Sequence, residues 1–149
     1  MSLEQKLTAD IAVAMKAKDA TRLIALRMLK TALTNRSIER GRALDPAEEL
    51  QVVGMLVRQR RDSIEQFTAG NRPDLAEKER AEIAVLDTYL PPAASETEIA
   101  EAVDAVVVET GASSPKDIGR VMKAAMARLA GKTADGKKVN EAVRARLAN

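Results

Sequence analysis

Residues 89–95 read YLPPAAS, and this short stretch divides the chain into two helical parts. Pro91 and Pro92 have no amide hydrogen to donate and their rings clash with the preceding turn, so the helix before them ends there. Immediately afterwards, Ser95 with Glu98 has the spacing of a capping box, in which the two side chains satisfy the first free amides of a new helix. The stretch therefore predicts a hinge at 90–94 between two helical units.

Four helices are predicted before the prolines, from capping residues and from apolar residues that recur with a helical period. The second, over about residues 20–39, has apolar side chains around most of its circumference, and we expect it to be the most buried. The signals that begin or end the others are Ser2 with Gln5, Asp45-Pro46 with Glu48, Gly70 and Pro73.

Three helices are predicted after the prolines. The first contains AVVVE at 105–109, whose β-branched residues suit a strand, but the flanking caps and the apolar period favour a helix. Ser114, which precedes a proline, is expected to cap the second helix, and Val139, Val143 and Leu147 give the last its apolar face. The sequence thus predicts an all-α fold, with an N-terminal four-helix domain over 1–92 and a three-helix tail over 93–149.

The stretch GKT at 131–133 resembles the end of a phosphate-binding P-loop. That motif needs an earlier glycine five residues before Gly131, at the position of Met126, and it needs a preceding strand. Since both are missing, we expect a loop between helices, with Gly131 ending one helix and the Asp135-Gly136 turn leading into the next.

The amino-acid composition excludes several kinds of catalytic and metal site. The sequence has no Cys and no His, which removes thiol nucleophiles, the commonest general base and the commonest zinc ligands. Glutamates 77, 79 and 82 crowd one helix, but without His an ion-paired face is favoured over a metal site. We expect no cofactor and no metal.

No apolar run is long enough to span a membrane, and charged residues near the N-terminus argue against a signal peptide, so we expect a cytoplasmic protein.

Charge is distributed unevenly although the net charge is only +2. Residues 93–111 carry five acids and no base, whereas residues 112–149 carry nine Lys or Arg and three acids. Residues 16–42 form a second basic stretch. A solvated face and an anion-binding surface both remain open as interpretations.

The basic residues of the tail are the main candidates for binding. Lys116, Arg120 and Lys123, called the cationic stripe below, are spaced to lie opposite the apolar face of their helix. No aromatic side chain accompanies them for base stacking, so a folded RNA held by its phosphates suits them better than a single strand. The full candidate set is Lys116, Arg120, Lys123, Lys132, Lys137, Lys138 and Arg144, with Arg22, Arg27, Arg60 and Arg61 as secondary candidates.

Two of these sites have competing interpretations. Ser113, Ser114 and Lys116 resemble the residues of Ser-Ser-Lys amidases, but the position of Ser114 before a proline favours capping. Arg60 and Arg61 occupy the apolar stripe of the third helix, where a partly buried ion pair with glutamates of the fourth helix is favoured over a binding role.

The chain resembles the YqeY family, whose C-terminal part is similar to the tail domain of GatB, a subunit of the tRNA-dependent amidotransferase. The resemblance covers nearly the whole chain. It is carried by LRMLKTALTN at 26–35, RQRRDSIEQFTAGNRPDLAEKERAEIAVLDTYLP at 58–91 and KDIGRVMKAAMARLAGKTADGKKVNEAVRARL at 116–147.

This resemblance implies an all-helical protein whose tail faces tRNA, with residues 119–122, the loop 131–136 and Lys137 in the tRNA-facing segment. It also implies classification of the chain as a carbon–nitrogen ligase with glutamine as amido donor. Because the catalytic domain of that enzyme is absent, we expect no intrinsic activity. The leading hypothesis is a tRNA-binding module. The alternatives are an accessory component of an amidotransferase or aminoacyl-tRNA synthetase complex, and a protein–protein adaptor whose arginines at 16–42 and 58–61 meet an acidic partner.

Overall fold

The computed structural model describes residues 2–148, and it confirms the predicted all-α fold. No strand forms within that range, where Ala93 and Thr133 make an isolated β-bridge. The helices are α1 (Leu3–Lys16), α2 (Ala20–Arg40), α3 (Pro46–Ala69), α4 (Pro73–Asp87), α5 (Glu96–Thr110), α6 (Ile118–Arg128) and α7 (Gly136–Ala148), with a 3₁₀ turn at Pro115–Asp117 before α6.

Capping residues fix where most of these helices begin. Ser2, Asp45 and Ser95 each accept a hydrogen bond from the amide three residues on, and the Gln or Glu at that position accepts one in return. These are the three capping boxes that the sequence predicts. Gly111, which ends α5, has a φ of 67°, a left-handed conformation that costs a glycine little because it has no Cβ.

Ser114 does not act as predicted. Its side chain makes no capping hydrogen bond, because Pro115 opens a 3₁₀ turn rather than the α-helix itself. The Asp117 carboxylate instead accepts a hydrogen bond from the Ser113 amide at 3.2 Å. The prediction of a Ser114 side-chain cap is therefore wrong, and the Asp117 side chain makes no capping hydrogen bond to α6 either.

The chain forms two compact units, Met1–Leu90 and Pro91–Asn149. They are called unit 1 and unit 2 below. The predicted domain boundary between residues 92 and 93 stays a prediction. In unit 1, α3 packs along α4 while α2 contacts α1, α3 and α4. The fully buried side chains at the centre of unit 1 are Leu7, Leu26, Leu29, Val52, Val53 and Leu86.

Burial in α2 is lower than predicted. Leu26, Leu29 and Leu33 enter the core, but Ile24 and Met28 remain exposed on the opposite side. The helix therefore has two apolar faces and only one of them is covered by unit 1. The predicted status of α2 as the most buried helix is wrong, since α3 buries more side chains.

Tyr89 connects the end of α4 to α1. Its hydroxyl donates to Asp10 Oδ2 at 2.5 Å, and Lys6 Nζ lies 5.0 Å from the ring centroid. Burial of the ring, followed by the Asp10 contact, raises the pKa of the Tyr89 hydroxyl above its ordinary value. The first and last helices of unit 1 are thus held together by the one tyrosine in the sequence.

Unit 2 is built from α5, α6 and α7, which contact one another pairwise. Its core is rich in valine, and the run AVVVE lies in α5 as predicted. The buried residues contributed by the three helices are Ile99, Ala102, Val103, Val106, Val107, Val121, Ala125, Val139, Val143 and Leu147.

The segment predicted to be a hinge carries specific hydrogen bonds within unit 2. Thr133 Oγ1 donates to the Pro91 carbonyl at 2.7 Å, and the Thr133 amide donates to the Pro92 carbonyl at 2.9 Å. The Ala94 amide donates to the Thr133 carbonyl at 2.8 Å. Residues 91–94 are therefore tied to the loop between α6 and α7.

Candidate nucleic-acid interface

The cationic stripe lies on the outer side of α6 and of the 3₁₀ turn that precedes it. Val121 and Ala125 face the core of unit 2, so the helical period directs Arg120 and Lys123 to solvent. Lys116, in the 3₁₀ turn, is also exposed. This turn contacts α7 as well as α6, which places the Lys116 end of the stripe beside α7. All three residues of the cationic stripe are therefore exposed, and their role in binding stays a prediction.

Arg120 is the one stripe residue that is paired within residues 2–148. Its Nη2 lies 3.0 Å from Asp117 Oδ1, and both side chains retain access to solvent. The hydrogen bond from the Ser113 amide, and then the charge of Arg120, lower the pKa of the Asp117 carboxyl. Lys116 and Lys123 have no ion pair with any described residue. Within the stripe, these two ammonium groups are more available to an incoming anion than the paired Arg120.

Lys132 is exposed but neutralised. Its ammonium pairs with Glu98, the same glutamate that completes the capping box of α5. The Lys132 contact and the Ser95 amide lower the pKa of Glu98. The carboxylate is therefore charged at neutral pH and neutralises the charge of the Lys132 ammonium. A phosphate at Lys132 would have to displace this carboxylate.

Lys138 borders a shallow groove between the first turn of α5 and α7. The groove has a volume of about 320 Å³ and an apolar floor formed by Ile99 and Ala142. Glu96 and Glu141 also line it, which makes the surroundings of Lys138 electrically mixed. The loop corner of Lys132 and Lys138 is consequently a weaker phosphate site than its sequence suggests.

Lys137 and Arg144 are exposed on one side of α7, two turns apart. Arg144 Nε donates to Asn140 Oδ1 at 2.7 Å, a contact that orients the guanidinium without neutralising it. The Lys137 side chain has no ion pair among residues 2–148. Together with the cationic stripe, these two residues give unit 2 its candidate anion-binding surface.

The secondary candidates lie in unit 1 and do not form one group. Arg27 is exposed on α2, and Arg22 is half-buried near the start of that helix. Arg61 is exposed on α3 and is not without an interaction partner. Arg60 is 4% exposed, and its Nε donates to Glu82 Oε2 at 3.0 Å. This geometry corresponds to the buried ion pair, because the guanidinium is enclosed and already satisfied.

Ion pairs between α5 and the rest of unit 2 are a feature that the sequence analysis missed. Arg128 pairs with Glu109 at 2.8 Å and Arg146 pairs with Asp104 at 3.0 Å, in addition to the Lys132–Glu98 contact. The signal was present in the adjacent blocks of opposite charge at 93–111 and 112–149. The acidic block and the basic block partly neutralise each other. Neither a solvated face nor an anion-binding surface, the two interpretations of the basic block, takes account of this pairing.

The described residues set limits on other chemistry. No group of three or more metal-ligating side chains occurs among them. Over the same residues, no helix combines the length and apolar character required to cross a bilayer. The surface of unit 2 carries exposed cations on α6, on α7 and in the 3₁₀ turn, which suits the recognition of an anion.

Comparison with known proteins identifies relatives. A family model described as "Yqey-like protein" matches residues 4–147. The protein of Lachancea thermotolerans named "Altered inheritance of mitochondria protein 41, mitochondrial" is 38% identical over 112 residues, which cover 73% of this chain and 60% of that protein. The protein of the same name from Eremothecium gossypii is 36% identical over 106 residues, covering 69% of this chain and 58% of its own length.

The Saccharomyces cerevisiae protein of that name is 34% identical over 96 residues, covering 62% of this chain and 52% of the yeast protein. The chain thus spans between half and three fifths of the length of these relatives. All three are named as mitochondrial, so the prediction of a cytoplasmic protein is wrong. That prediction depended on the lack of a membrane span and of a secretory signal, and neither distinguishes the cytoplasm from a mitochondrion.

Proposed function

The chain belongs to the YqeY-like family, and from this membership and the exposed cations of α6 we propose that it is a non-catalytic module that binds tRNA. The observation that carries the proposal is the cationic stripe. Lys116 and Lys123 are exposed, have no ion pair with any residue of 2–148 and flank Arg120 on a face directed away from the core. The similarity to the GatB tail makes tRNA the favoured RNA.

The physical character of the stripe supports recognition of shape rather than of sequence. Ammonium and guanidinium groups on a helix contact phosphates, which carry no information about the base. The surface has no aromatic side chain on which an unpaired base would stack, because Tyr89 and Phe67 both belong to unit 1. A folded RNA presents closely spaced phosphates at fixed positions, and many tRNAs share that geometry.

The salt dependence of tRNA binding tests this proposal. Each phosphate contact releases condensed counterions, so about three contacts give a slope near −3 for log K against log salt concentration. Replacing both Lys116 and Lys123 with alanine should weaken binding about tenfold and flatten the slope by about two units, similarly for several tRNAs. The measurement is fluorescence anisotropy of labelled tRNA over a range of salt concentrations.

A matched control removes the same charge from paired residues. Arg128→Ala with Arg146→Ala also takes two positive charges from unit 2, but both arginines are held by acids of α5. This control is expected to keep the parental slope. Parental affinity and slope in the Lys116→Ala, Lys123→Ala variant would show that the cationic stripe is not the RNA surface.

An accessory role in an amidotransferase or aminoacyl-tRNA synthetase complex is the second function that the family resemblance supports. In that case the module presents tRNA to a catalytic subunit and performs no chemistry itself. Purification of a tagged chain with and without nuclease distinguishes the two roles. A catalytic subunit retained after nuclease treatment supports the accessory role, and its loss supports RNA binding alone.

A further inference from the structure

The outer face of α2 carries an apolar stripe that unit 1 does not cover. Ile24, Met28 and Ile38 are 43%, 46% and 73% exposed. Their spacing of four and ten residues places them on one side of the helix, at 100° per residue. The core-facing residues, on the other side, are Leu26, Leu29 and Leu33. We refer to Ile24, Met28 and Ile38 as the α2 outer stripe.

The α2 outer stripe borders a shallow groove and two methionine–arginine contacts. The groove, about 320 Å³ in volume, follows the middle of α2 and is lined by Arg27, Met28, Thr31, Ala32 and Asn35. Met28 Sδ lies 3.1 Å from Arg60 Nη2 of α3, and Met55 Sδ of α3 lies 3.9 Å from Arg36 Nη2. Methionine side chains adapt their shape to a partner, which suits a binding surface.

Charge determines which partner fits. The basic residues of α2 are Arg22, Arg27, Lys30, Arg36 and Arg40, and its acidic residue is Glu39. Arg27 lines the groove and has no ion pair with any other described residue. A partner must therefore bring apolar side chains for the stripe and carboxylates for its basic surroundings. Nucleic acid supplies negative charge but no aliphatic surface, so a protein fits better than RNA.

We propose that the α2 outer stripe is the docking site for an acidic amphipathic helix of another protein. The stripe extends over 14 residue steps, or about 21 Å at the usual helical rise. A partner helix of about four turns covers that length, with apolar anchors at i, i+3 or i+4 and i+7 and with glutamates beside them. The site is formed by residues of unit 1, whereas the cationic stripe belongs to unit 2.

A pair of synthetic peptides tests the proposal. Both are labelled helices with leucines at the anchor positions. One carries glutamates on its flanks, and the other carries lysines at the same positions. The acidic peptide is expected to bind the full chain, and the basic peptide is expected to bind at least about tenfold more weakly. Fluorescence anisotropy measures both affinities.

Variants of the chain then locate the site. Ile24→Glu and Ile38→Glu remove apolar contacts and add repulsion, so each should weaken the acidic peptide by about tenfold or more. Met28 is left unchanged because it contacts Arg60. The matched control is Val108→Glu, which places the same change at a residue of α5 that is 77% exposed. It should bind the peptide as the parent does, and circular dichroism should show equal helicity for all three variants.

Several results would overturn the proposal. They include equal affinity for the two peptides, no binding of the acidic peptide, and parental binding by Ile24→Glu and Ile38→Glu. If sedimentation shows that the parent dimerises and that these variants are monomeric, the stripe is covered by a second copy instead. If tRNA affinity falls in the two variants while peptide affinity does not, the face belongs to RNA.

Discussion

Replacement of Arg60 with alanine is expected to destabilise unit 1 strongly. The side chains of Arg60 and Glu82 are 5% and 7% exposed, and their Nε and Oε2 atoms are 3.0 Å apart. Arg60 also donates from Nη1 to the Leu56 carbonyl at 3.2 Å. Alanine removes the cation and its donors, and it leaves the Glu82 carboxylate enclosed without its strongest partner.

The expected loss of stability in Arg60→Ala is large because the Glu82 carboxylate stays buried away from water without its partner cation. Removing one member of a buried ion pair costs about 3–5 kcal/mol, a large fraction of the 5–15 kcal/mol by which a typical domain is stable. Replacing both partners, as in Arg60→Met with Glu82→Leu, removes both charges at once. This double variant should recover most of the loss, because well-packed apolar residues are often equivalent to a buried pair or better. The two positions should therefore be coupled by at least about 2 kcal/mol.

Urea unfolding followed by tyrosine fluorescence measures this change. Tyr89 is the one tyrosine of the sequence and lies in the core of unit 1, so its signal reports that unit. Arg58→Ala, an exposed position on the same helix, serves as the control and should change stability by less than about 0.5 kcal/mol. A loss below about 1 kcal/mol in Arg60→Ala, or a double variant as unstable as the single one, would refute the reasoning. Arg60 would then deserve study as an RNA contact.

Three further predictions concern unit 1. The Arg42 guanidinium, and then the Asp45 amide, lower the pKa of Glu48 to about 2, so the stability from this contact is fully present above a carboxyl's ordinary pKa of about 4.3 and is lost as the pH falls toward 2. The difference in urea midpoint between the parent and Glu48→Gln should accordingly shrink across that pH interval, and a constant difference would contradict this. Gly54, inside α3, has no atom within 4 Å of an added Cβ, so Gly54→Ala should stabilise the protein by about 0.5–1 kcal/mol. Gly41 has equal space but a φ of +69°, so Gly41→Ala should instead destabilise it by about 1 kcal/mol. Thermal melting measures both glycine variants, and a shift of the same sign in the two would contradict the reasoning.

Local features of the fold were predictable from the sequence because their causes are local. The capping box of Ser95 and Glu98 needs residues three positions apart, and its helix forms wherever that pair precedes an apolar period. The same local rule failed at Ser114. There, Pro115 opens a 3₁₀ turn that the capping pattern does not predict, and the Ser114 side chain makes no capping hydrogen bond.

Non-local features were predictable only in part. An arginine that interrupts the apolar stripe of α3 predicts a buried ion pair for Arg60, and Glu82 of α4 is its partner. The pairing of Lys132 with Glu98, 34 residues earlier, depends on how α5 packs against the loop after α6. Helical periodicity gives the outward direction of each side chain but not the neighbour that it meets, so the charge of a surface is harder to predict than its exposure.

Under the proposed function, these ion pairs limit how much affinity for RNA the basic block of unit 2 provides. Residues 112–149 contain nine Lys or Arg, of which four are paired with carboxylates. A phosphate that approaches a paired cation must displace a carboxylate and gains less free energy than it would from a free cation. The cations without an ion pair to a described residue are Lys116, Lys123, Lys137, Lys138 and Arg144. For the proposed tRNA-binding module, we therefore expect the modest, salt-sensitive affinity of a few phosphate contacts.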